Sequence, residues 1–517
     1  MALQKQAFFI DRIIVLIFEM KRKRQLIGTA IIDFLSVPFI SVIGLYAIPL
    51  YLNFINNSEY GFWLTLFEII SLFSLMNSGL QFYVVQSYSE DKLKLFTSEI
   101  VSLILFQLLI IIILLILAIL TFHFLPFIKI LHNNEGMIRV YKLMIINMII
   151  LSLINFLSSF IYAENRTIIL NIINLFQKIL FHIFPLIFLY YGFKINSFPL
   201  SFLITNLIVL CYVLYLNRKN ININSIIYKN IFKSFKKITL FCSNTFIGST
   251  SYFVLNFTDT IVIANFISNK AVTIYILTMK ISLILRFIIA RILSATFPSF
   301  TKILSENNFT RIIDLSRKFF RFALRGGIFF SVLIIFLNKI FIYNWIGYEN
   351  YGGDNLTIIA ALICLRESIF PVFSNTIFAT REIKIINLIF FFEAILNLIL
   401  SIILINYLGI LGVAIGTLIS ISFFSFIYSI YKSSKIININ KSVYIKDMVI
   451  VLIKSLPSCA VIILGSKLLE ENFHWIYFFL LVFTSILVNI IFFEARFIKN
   501  LKNKKWSEKI NLIIEYS

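Results

Sequence analysis

Apolar runs of about eighteen residues or more recur from one end of the chain to the other, separated by short polar breaks. A run of that length, wound as a helix, crosses the roughly 30 Å hydrocarbon core of a bilayer. Fourteen such helices are predicted. The first six cover 28–54, 62–86, 99–124, 141–162, 168–190 and 197–216. The next six cover 241–265, 271–296, 320–340, 355–379, 385–407 and 410–431. A final pair covers 447–468 and 475–494. The pattern therefore predicts an all-α integral membrane protein. Residues 8–20 are apolar, but too few to span, and the basic run Lys21-Arg22-Lys23-Arg24 follows them rather than precedes them. That order predicts an amphipathic segment on the inner surface rather than a cleaved signal.

Composition agrees. Of 517 residues, 60% are hydrophobic and 14% charged, against about 25% charged in a soluble domain. The net charge of +22 would suit nucleic acid, but the cations are sorted by side. With the N-terminus inside, 32 of the 46 lysines and arginines fall in inner segments and four in outer loops. This asymmetry predicts cytoplasmic termini and an even number of spans, with no nucleic-acid partner. The most basic inner loops, 218–237 and 302–321, set orientation and are placed to meet anionic lipid. Cys211, Cys242, Cys364 and Cys459 stand singly in apolar runs without ligand spacing, so they are expected to pack rather than bind metal. A Gly-rich loop ending in Lys-Ser or Lys-Thr does not occur, which excludes the common nucleotide-hydrolysis motif.

The stretch 239–307 carries the densest candidate chemistry. It reads as two helices joined by a tight outer turn at 266–270, and it holds Asp259, Lys280, Arg286 and Arg291. Between Ala271 and Ser294, thirteen Leu, Ile, Phe and Val residues favour insertion by about 6 kcal/mol, while the three cations oppose it by about 8–9 kcal/mol. The helix thus needs a polar interior and partner helices. Lys280 and Arg291 are eleven residues apart, within about 20° of one another around a helix, and share a face with Thr273, Phe287 and Ser294. Arg286 points about 120° away. Lys280 and Arg291 are expected to line a cavity; snorkelling to the interface suits Arg291 but not Arg286.

Asn53-Phe54-Ile55-Asn56-Asn57 aligns with Asn265-Phe266-Ile267-Ser268-Asn269 at an offset of 212, which also places Glu68 on Lys280. The six-helix spacing predicts a parallel repeat about an axis along the membrane normal. At this point the chain resembles a family. The run Ile48-Pro49-Leu50 through Glu59-Tyr60-Gly61-Phe62-Trp63 to Ser78-Gly79-Leu80 is similar to the first hairpin of bacterial polysaccharide flippases of the O-antigen (Wzx) type, in the MATE-like (MOP) superfamily. Asp259 followed by Phe297-Pro298-Ser299-Phe300, and the run Leu408-Gly409-Ile410-Leu411-Gly412-Val413-Ala414-Ile415-Gly416-Thr417, resemble its later helices. The resemblance spans about residues 25 to 435. It implies two six-helix lobes, 28–216 and 241–431, joined by a basic cytoplasmic linker, 217–240. An amphipathic segment, 1–27, precedes them; an extra helix pair, 432–494, and a basic tail, 495–517, follow.

Further candidate cations are Lys178, with His182 one turn on, and Arg366. Candidate acids for ion coupling are Asp33, Glu68, Asp259, Glu367 and Glu393. Neighbouring helical positions point about 100° apart, so Arg366 and Glu367 are expected not to pair with each other. Glu393 is a candidate partner for one of them. Pro38, Pro49, Pro185 and Pro371 are expected to kink their helices, and Gly326-Gly327 to pack closely or bend.

The resemblance implies a substrate, an oligosaccharide carried on undecaprenyl diphosphate, flipped across the bacterial inner membrane for O-antigen or capsule synthesis. Lys178, Lys280, Arg286, Arg291 and Arg366 then bind the diphosphate, whose charge buried cations suit. Expected partners are membrane lipids and other polysaccharide-assembly membrane proteins; neither cofactor nor metal nor catalysis is expected. The rivals are an ion-coupled exporter of cationic drugs, which would favour an acidic cavity, and a membrane polymerase, ligase or glycosyltransferase. The longest outer loops, 125–140 and 341–354, are too short for an external active site. The charge pattern makes one direct prediction. Cysteines in 218–237 and tags at both termini are shielded from a membrane-impermeant label in intact cells, while a cysteine in 350–354 is modified; labelling of 218–237 would overturn the helix count.

Overall fold

The computed structural model describes residues 38–74, 77–90, 97–124, 135–164, 166–218, 231–306, 309–380 and 383–502, with residues 28, 32 and 36. Among them every regular element is helical. The helices are α1 (Pro38–Leu52), α2 (Asn57–Ser74), α3 (Ser78–Glu90), α4 (Thr97–Phe124) and α5 (Glu135–Ala163). There follow α6 (Thr167–Tyr190), α7 (Ser197–Asn217), α8 (Ile231–Phe266), α9 (Asn269–Ser305) and α10 (Phe309–Ile346). The last are α11 (Asp354–Ala379), α12 (Ile383–Leu408), α13 (Ile410–Ile437), α14 (Lys441–Glu471) and α15 (Trp475–Lys502). Eleven of the described helices are long and apolar enough to cross a membrane, and Pro38–Leu52 and Phe257–Phe266 are shorter apolar helices. The segment expected at 62–86 is found as α2 and α3, on either side of residues 75–76, which lie outside the described residues together with Asp33 and the segment 1–27. One departure from the expected run of α-helix is a π-helical stretch, Ser422–Phe426, inside α13.

By internal contacts the chain forms two compact units: Met1–Thr273 with Lys384–Ser420, and Ile274–Ile383 with Ile421–Ser517. The first unit is threaded by hydrogen bonds between helices, as packing in an apolar medium demands. Gln177 on α6 donates to Asn206 on α7 at 2.8 Å, Asn206 donates to Asn147 on α5 at 3.2 Å, and Asn147 reaches the Pro199 carbonyl at 2.9 Å. Asn77 and Gln107 both donate to Ser152, at 3.0 and 2.6 Å. An aromatic cluster joins α1, α2, α6 and α7: Trp63 stacks on Phe198 at 5.2 Å and Tyr51 meets Phe198 edge-on at 5.1 Å.

The 212-residue repeat leaves a physical trace here. Helices α2 and α9 begin at Asn57 and Asn269, which are repeat equivalents, so Glu68 and Lys280 are each the twelfth residue of their helix. The two helix starts touch reciprocally. Gly61 abuts the Asn269 carbonyl, while Thr273, the equivalent of Gly61, donates to the carbonyl of Asn57, the equivalent of Asn269, at 2.6 Å. Residue i meeting j′ while i′ meets j is what a two-fold relation between repeats produces.

In the second unit α10 packs against α11 and α14, and α14 against α15. The C-terminal pair is fastened to α10 by a buried carboxylate: Asp447 accepts from Arg317 Nε at 2.9 Å and Nη2 at 3.0 Å, and from Arg321. Ser316 and Tyr444 share a hydrogen bond of 2.9 Å beside it. Gly326 and Gly327 serve close packing, because side chains of Ile289 and of Leu365 and Ser368 fill the space a Cβ would need. Of the cysteines, Cys242 and Cys364 are buried and Cys211 is exposed.

The crossing of α2 and α9 can be tested. A Cβ on Gly61 would run into the Asn269 carbonyl oxygen, a backbone atom that cannot swing aside. Gly61→Ala is expected to destabilise the protein by about 1–3 kcal/mol, read as a lower thermal unfolding midpoint in detergent. An unchanged midpoint would show that the two helix starts are not held together.

Candidate functional site: buried acids and cations

The acidic site begins with two small residues. Gly412 and Gly416 lie one turn apart on α13 and let it approach the backbone of α12 at Leu404 and Ser401, where larger residues would collide. Gly409, with φ +59°, makes the turn between these helices. That approach brings buried Asn397 of α12 within reach of α13: its Nδ2 donates to Thr417 Oγ1 at 3.0 Å and is 3.3 Å from Ser420 Oγ. The Thr417 hydroxyl points to Asp259 on α8, 3.2 and 3.1 Å from its two carboxylate oxygens. Asp259 is 9% exposed and Glu393, one turn before Asn397 on α12, is 1% exposed. Side chains four residues apart share a helix face, so α12 presents a second carboxylate beside the Asn397–Thr417–Asp259 chain. All of this lies in the first unit. A buried carboxylate such as Asp259, beside the Thr417 hydroxyl, is a group that can take up a proton.

The structure corrects the expectation for Arg366. Its guanidinium pairs with Glu367, the next residue in sequence. The 100° rule describes where helical side chains start, and the long arginine stem folds back across that angle. The opposite edge of the guanidinium donates to the Ile421 carbonyl at 2.5 Å and to Ser425 Oγ at 2.5 Å. Its plane lies 4.2 Å from the Phe370 ring centre and 5.5 Å from that of Phe426. Ile421 immediately precedes the π-helical stretch, where widening of the helix loosens the regular carbonyl bonding. Arg366, 7% exposed, thus satisfies irregular backbone in an apolar setting. Nη1 and Nη2 are thus engaged by Glu367 and α13, while Nε is buried with no hydrogen-bond partner among the described residues.

The other candidates are placed as follows. On α9, Thr273 is buried, Lys280 half-buried, and Arg291 exposed with Phe287 and Ser294, so the shared face opens toward the C-terminal end of the helix. Arg286 is half-buried, 6.0 Å from the centre of the Phe287 ring. Glu68 on α2 is half-buried and Lys178 on α6 is exposed. His182 accepts from Tyr51: the hydroxyl donates to its backbone carbonyl at 2.9 Å and lies 3.5 Å from Nδ1. Lys178, Glu68, Asp259 and Glu393 belong to the first unit; Lys280, Arg286, Arg291, Arg366 and Glu367 belong to the second. The sequence reading missed Asn397, Thr417 and the partnership of Arg317, Arg321 and Asp447. Asn397 stood one turn from Glu393, and Thr417 closed a glycine motif quoted only for its resemblance.

The described helices and their order define a fold shared with solved transporters. The chain is similar to a structure of the lipid II flippase MurJ in an inward closed conformation, with TM-score 0.67, 19% identity, and coverage of 90% of this chain and 99% of that one. It is also similar to an inward-facing multidrug-resistance MATE transporter of the MOP superfamily, with TM-score 0.56, 14% identity, and coverage of 79% and 98%. A third likeness is to a MOP transporter from Pyrococcus furiosus, with TM-score 0.50, 12% identity, and coverage of 81% and 96%. The fold is therefore MATE-like, and the protein is a multi-pass membrane protein. A search of curated proteins gives no match. The sequence pattern of the polysaccharide biosynthesis protein family matches residues 29–304, and the chain belongs to that family.

If Arg366 anchors the irregular turn of α13, charge alone does not replace it. Arg366→Lys keeps one cation but loses the fork that serves Glu367, Ile421 and Ser425 together. The expected cost is about 1.5–3 kcal/mol, measured by thermal unfolding of the purified protein. A variant as stable as the parent would show that the fork is not needed.

Proposed function

We propose that the protein is a flippase that moves a lipid-linked oligosaccharide, carried on undecaprenyl diphosphate, across the bacterial inner membrane for O-antigen or capsule synthesis. It works by alternating access through a cationic cavity, both termini are cytoplasmic, and no covalent bond changes. The observation that carries this reading is α9. It is long and apolar enough to span a membrane, yet holds Lys280, Arg286 and Arg291. Cations are kept in such a helix where they meet an anion or line a wet path. A diphosphate cannot cross hydrocarbon bare, and these cations supply charge-assisted hydrogen bonds to it. Family membership and the fold of a lipid II flippase support the same reading.

Lys280 and Arg291 stand about 16 Å apart along α9, so one diphosphate meets them in succession. Lys178 completes the binding face in this proposal; Arg366 acts in support of α13. Asp259 and Glu393 are the coupling acids, with Glu68 and Asp33 as further candidates. The buried Asp259–Thr417–Asn397 chain also favours a second reading, an ion-coupled exporter of cationic drugs.

One assay separates the two: export of surface polysaccharide in cells lacking their own flippase, with membrane abundance measured beside it. The Lys280→Ala, Arg291→Ala double variant is expected to lose export at normal abundance, while Arg291→Lys keeps part of it because charge survives. In the same cells Asp259→Asn, which still accepts from Thr417, is expected to slow export and leave abundance intact. Failure of the parent itself to restore export would favour the exporter reading, whereas full export from a well-expressed double variant would keep the flippase and sink the cationic path.

A further inference from the structure

Helix α6 is long and apolar enough to span a membrane, yet it shows two outward faces of opposite character. Ile172, Phe176, Ile183 and Ile187 are exposed and fall within about 60° around the helix, an apolar face suited to lipid. Thr167, Asn171, Asn174, Lys178 and His182 fall within about 80° of one another on a second face. Asn174 and Lys178 are exposed on it and point about 170° away from the middle of the apolar face. Neighbouring helices fill the sectors between. On one side Gly44 of α1 abuts the His182 ring, and Tyr51 of α1 donates to the His182 carbonyl at 2.9 Å. On the other, Gln177 donates to Asn206 of α7 at 2.8 Å. The polar strip therefore opens between α1 and α7, away from the lipid side. All of it belongs to the first unit.

Depth excludes an interfacial explanation. Lys178 stands eleven residues after Thr167 and twelve before Tyr190, midway along α6. Asn174 is about 10 Å from the Thr167 end, and its side chain is too short to snorkel. Thr167, Asn171, Lys178 and His182 each have a partner in the chain, whereas the Asn174 amide makes no hydrogen bond among the described residues. An exposed amide at that depth is costly against hydrocarbon and is kept where it meets water or a ligand.

The chemistry of the strip selects the ligand. An asparagine amide offers two donors and a carbonyl acceptor, and carries no charge. Lys178, one turn on, repels a small cation. An anion is served by Lys178 and leaves the amide carbonyl unused. Hydroxyl groups both donate and accept, so neighbouring hydroxyls on a ring use both ends of one amide. Asn174 is about 6 Å along α6 from Lys178, beside the place given above to the diphosphate.

We propose that Asn174 is a sugar-binding residue, whose amide receives hydroxyls of the sugar joined to the diphosphate, on a wet face of α6 that Lys178 shares. The proposal rests on the flippase reading and adds to it the part of the substrate that cations do not recognise. Its consequence is selectivity: a carrier loaded with sugar is held more tightly than the bare carrier.

The test uses the full-length protein, purified in detergent, with retained lipids counted by native mass spectrometry. The probes are undecaprenyl diphosphate and the same carrier bearing one N-acetylglucosamine. The parent is expected to retain the glycosylated form roughly five-fold above the bare one, as hydrogen bonds of ordinary net strength allow. Asn174→Leu should abolish that difference while retaining the bare carrier as the parent does, and Asn174→Gln should keep part of it. Asn174 is exposed, so these variants keep the fold. Wetness is read separately, with the four native cysteines replaced by alanine. In open membrane fragments Asn174→Cys should react with a charged, water-soluble thiol reagent, and Ile183→Cys on the apolar face should not. Failure of Asn174→Cys to react faster than Ile183→Cys would overturn the wet face. Equal retention of both probes by the parent would overturn the sugar role, and so would an equal loss of both in Asn174→Leu, which marks a structural role. Retention of neither probe by the parent would count against the flippase reading itself, and the sugar role would fall with it.

Discussion

A polar or charged group in hydrocarbon must find its partner within the chain, because water is not there to supply one. That constraint organises this protein more than any pattern of apolar packing does. Apolar side chains gain little by choosing one another over lipid tails, so helix positions are settled by polar contacts and by small residues that permit them. Three junctions are of this kind. Asp447 holds two arginines of α10 and thereby seats α14. Arg366 serves the backbone of α13. Thr273 and Gly61 cross where the starts of α2 and α9 meet.

The same constraint explains what the sequence could reveal. A spanning helix satisfies its own backbone, so hydropathy alone locates it: the expected 168–190 and 355–379 appear as Thr167–Tyr190 and Asp354–Ala379. The 212-residue offset was visible in five residues and reappears as two helices that begin at equivalent positions. The π-helical stretch was not visible. Nothing in Ser422-Phe423-Phe424-Ser425-Phe426 distinguishes it from ordinary helix, and what supports it is Arg366, more than fifty residues away.

The charged candidates divide for the same reason. A charge in an apolar run is conspicuous, so Asp259, Lys280, Arg366 and Glu393 stood out as soon as the runs were drawn. Partners that are neutral are less conspicuous: Asp259 meets Thr417, and Arg366 meets Ser425 and a carbonyl besides Glu367. Arg366 was misjudged because a rule about where side chains start on a helix was applied to where a long one ends. Asn174 passed unremarked because one neutral amide in an apolar run is ordinary. Only its exposure on the face opposite the lipid side sets it apart.

Helix α13 brings the two kinds of polar anchoring together. Its N-terminal half reaches Asp259 through Thr417, and this depends on close approach, since Gly412 and Gly416 leave room for α12. One turn later, at Ile421, the helix is held by Arg366, and this depends on irregularity, since the widened turn turns a carbonyl to the guanidinium. The chain passes from one compact unit to the other between Ser420 and Ile421, just before the π-helical stretch. At the start of the π-helical stretch the Ile421 carbonyl accepts from Arg366 and also from Ser425 Oγ at 3.3 Å, so two side chains serve the irregular backbone in an apolar medium.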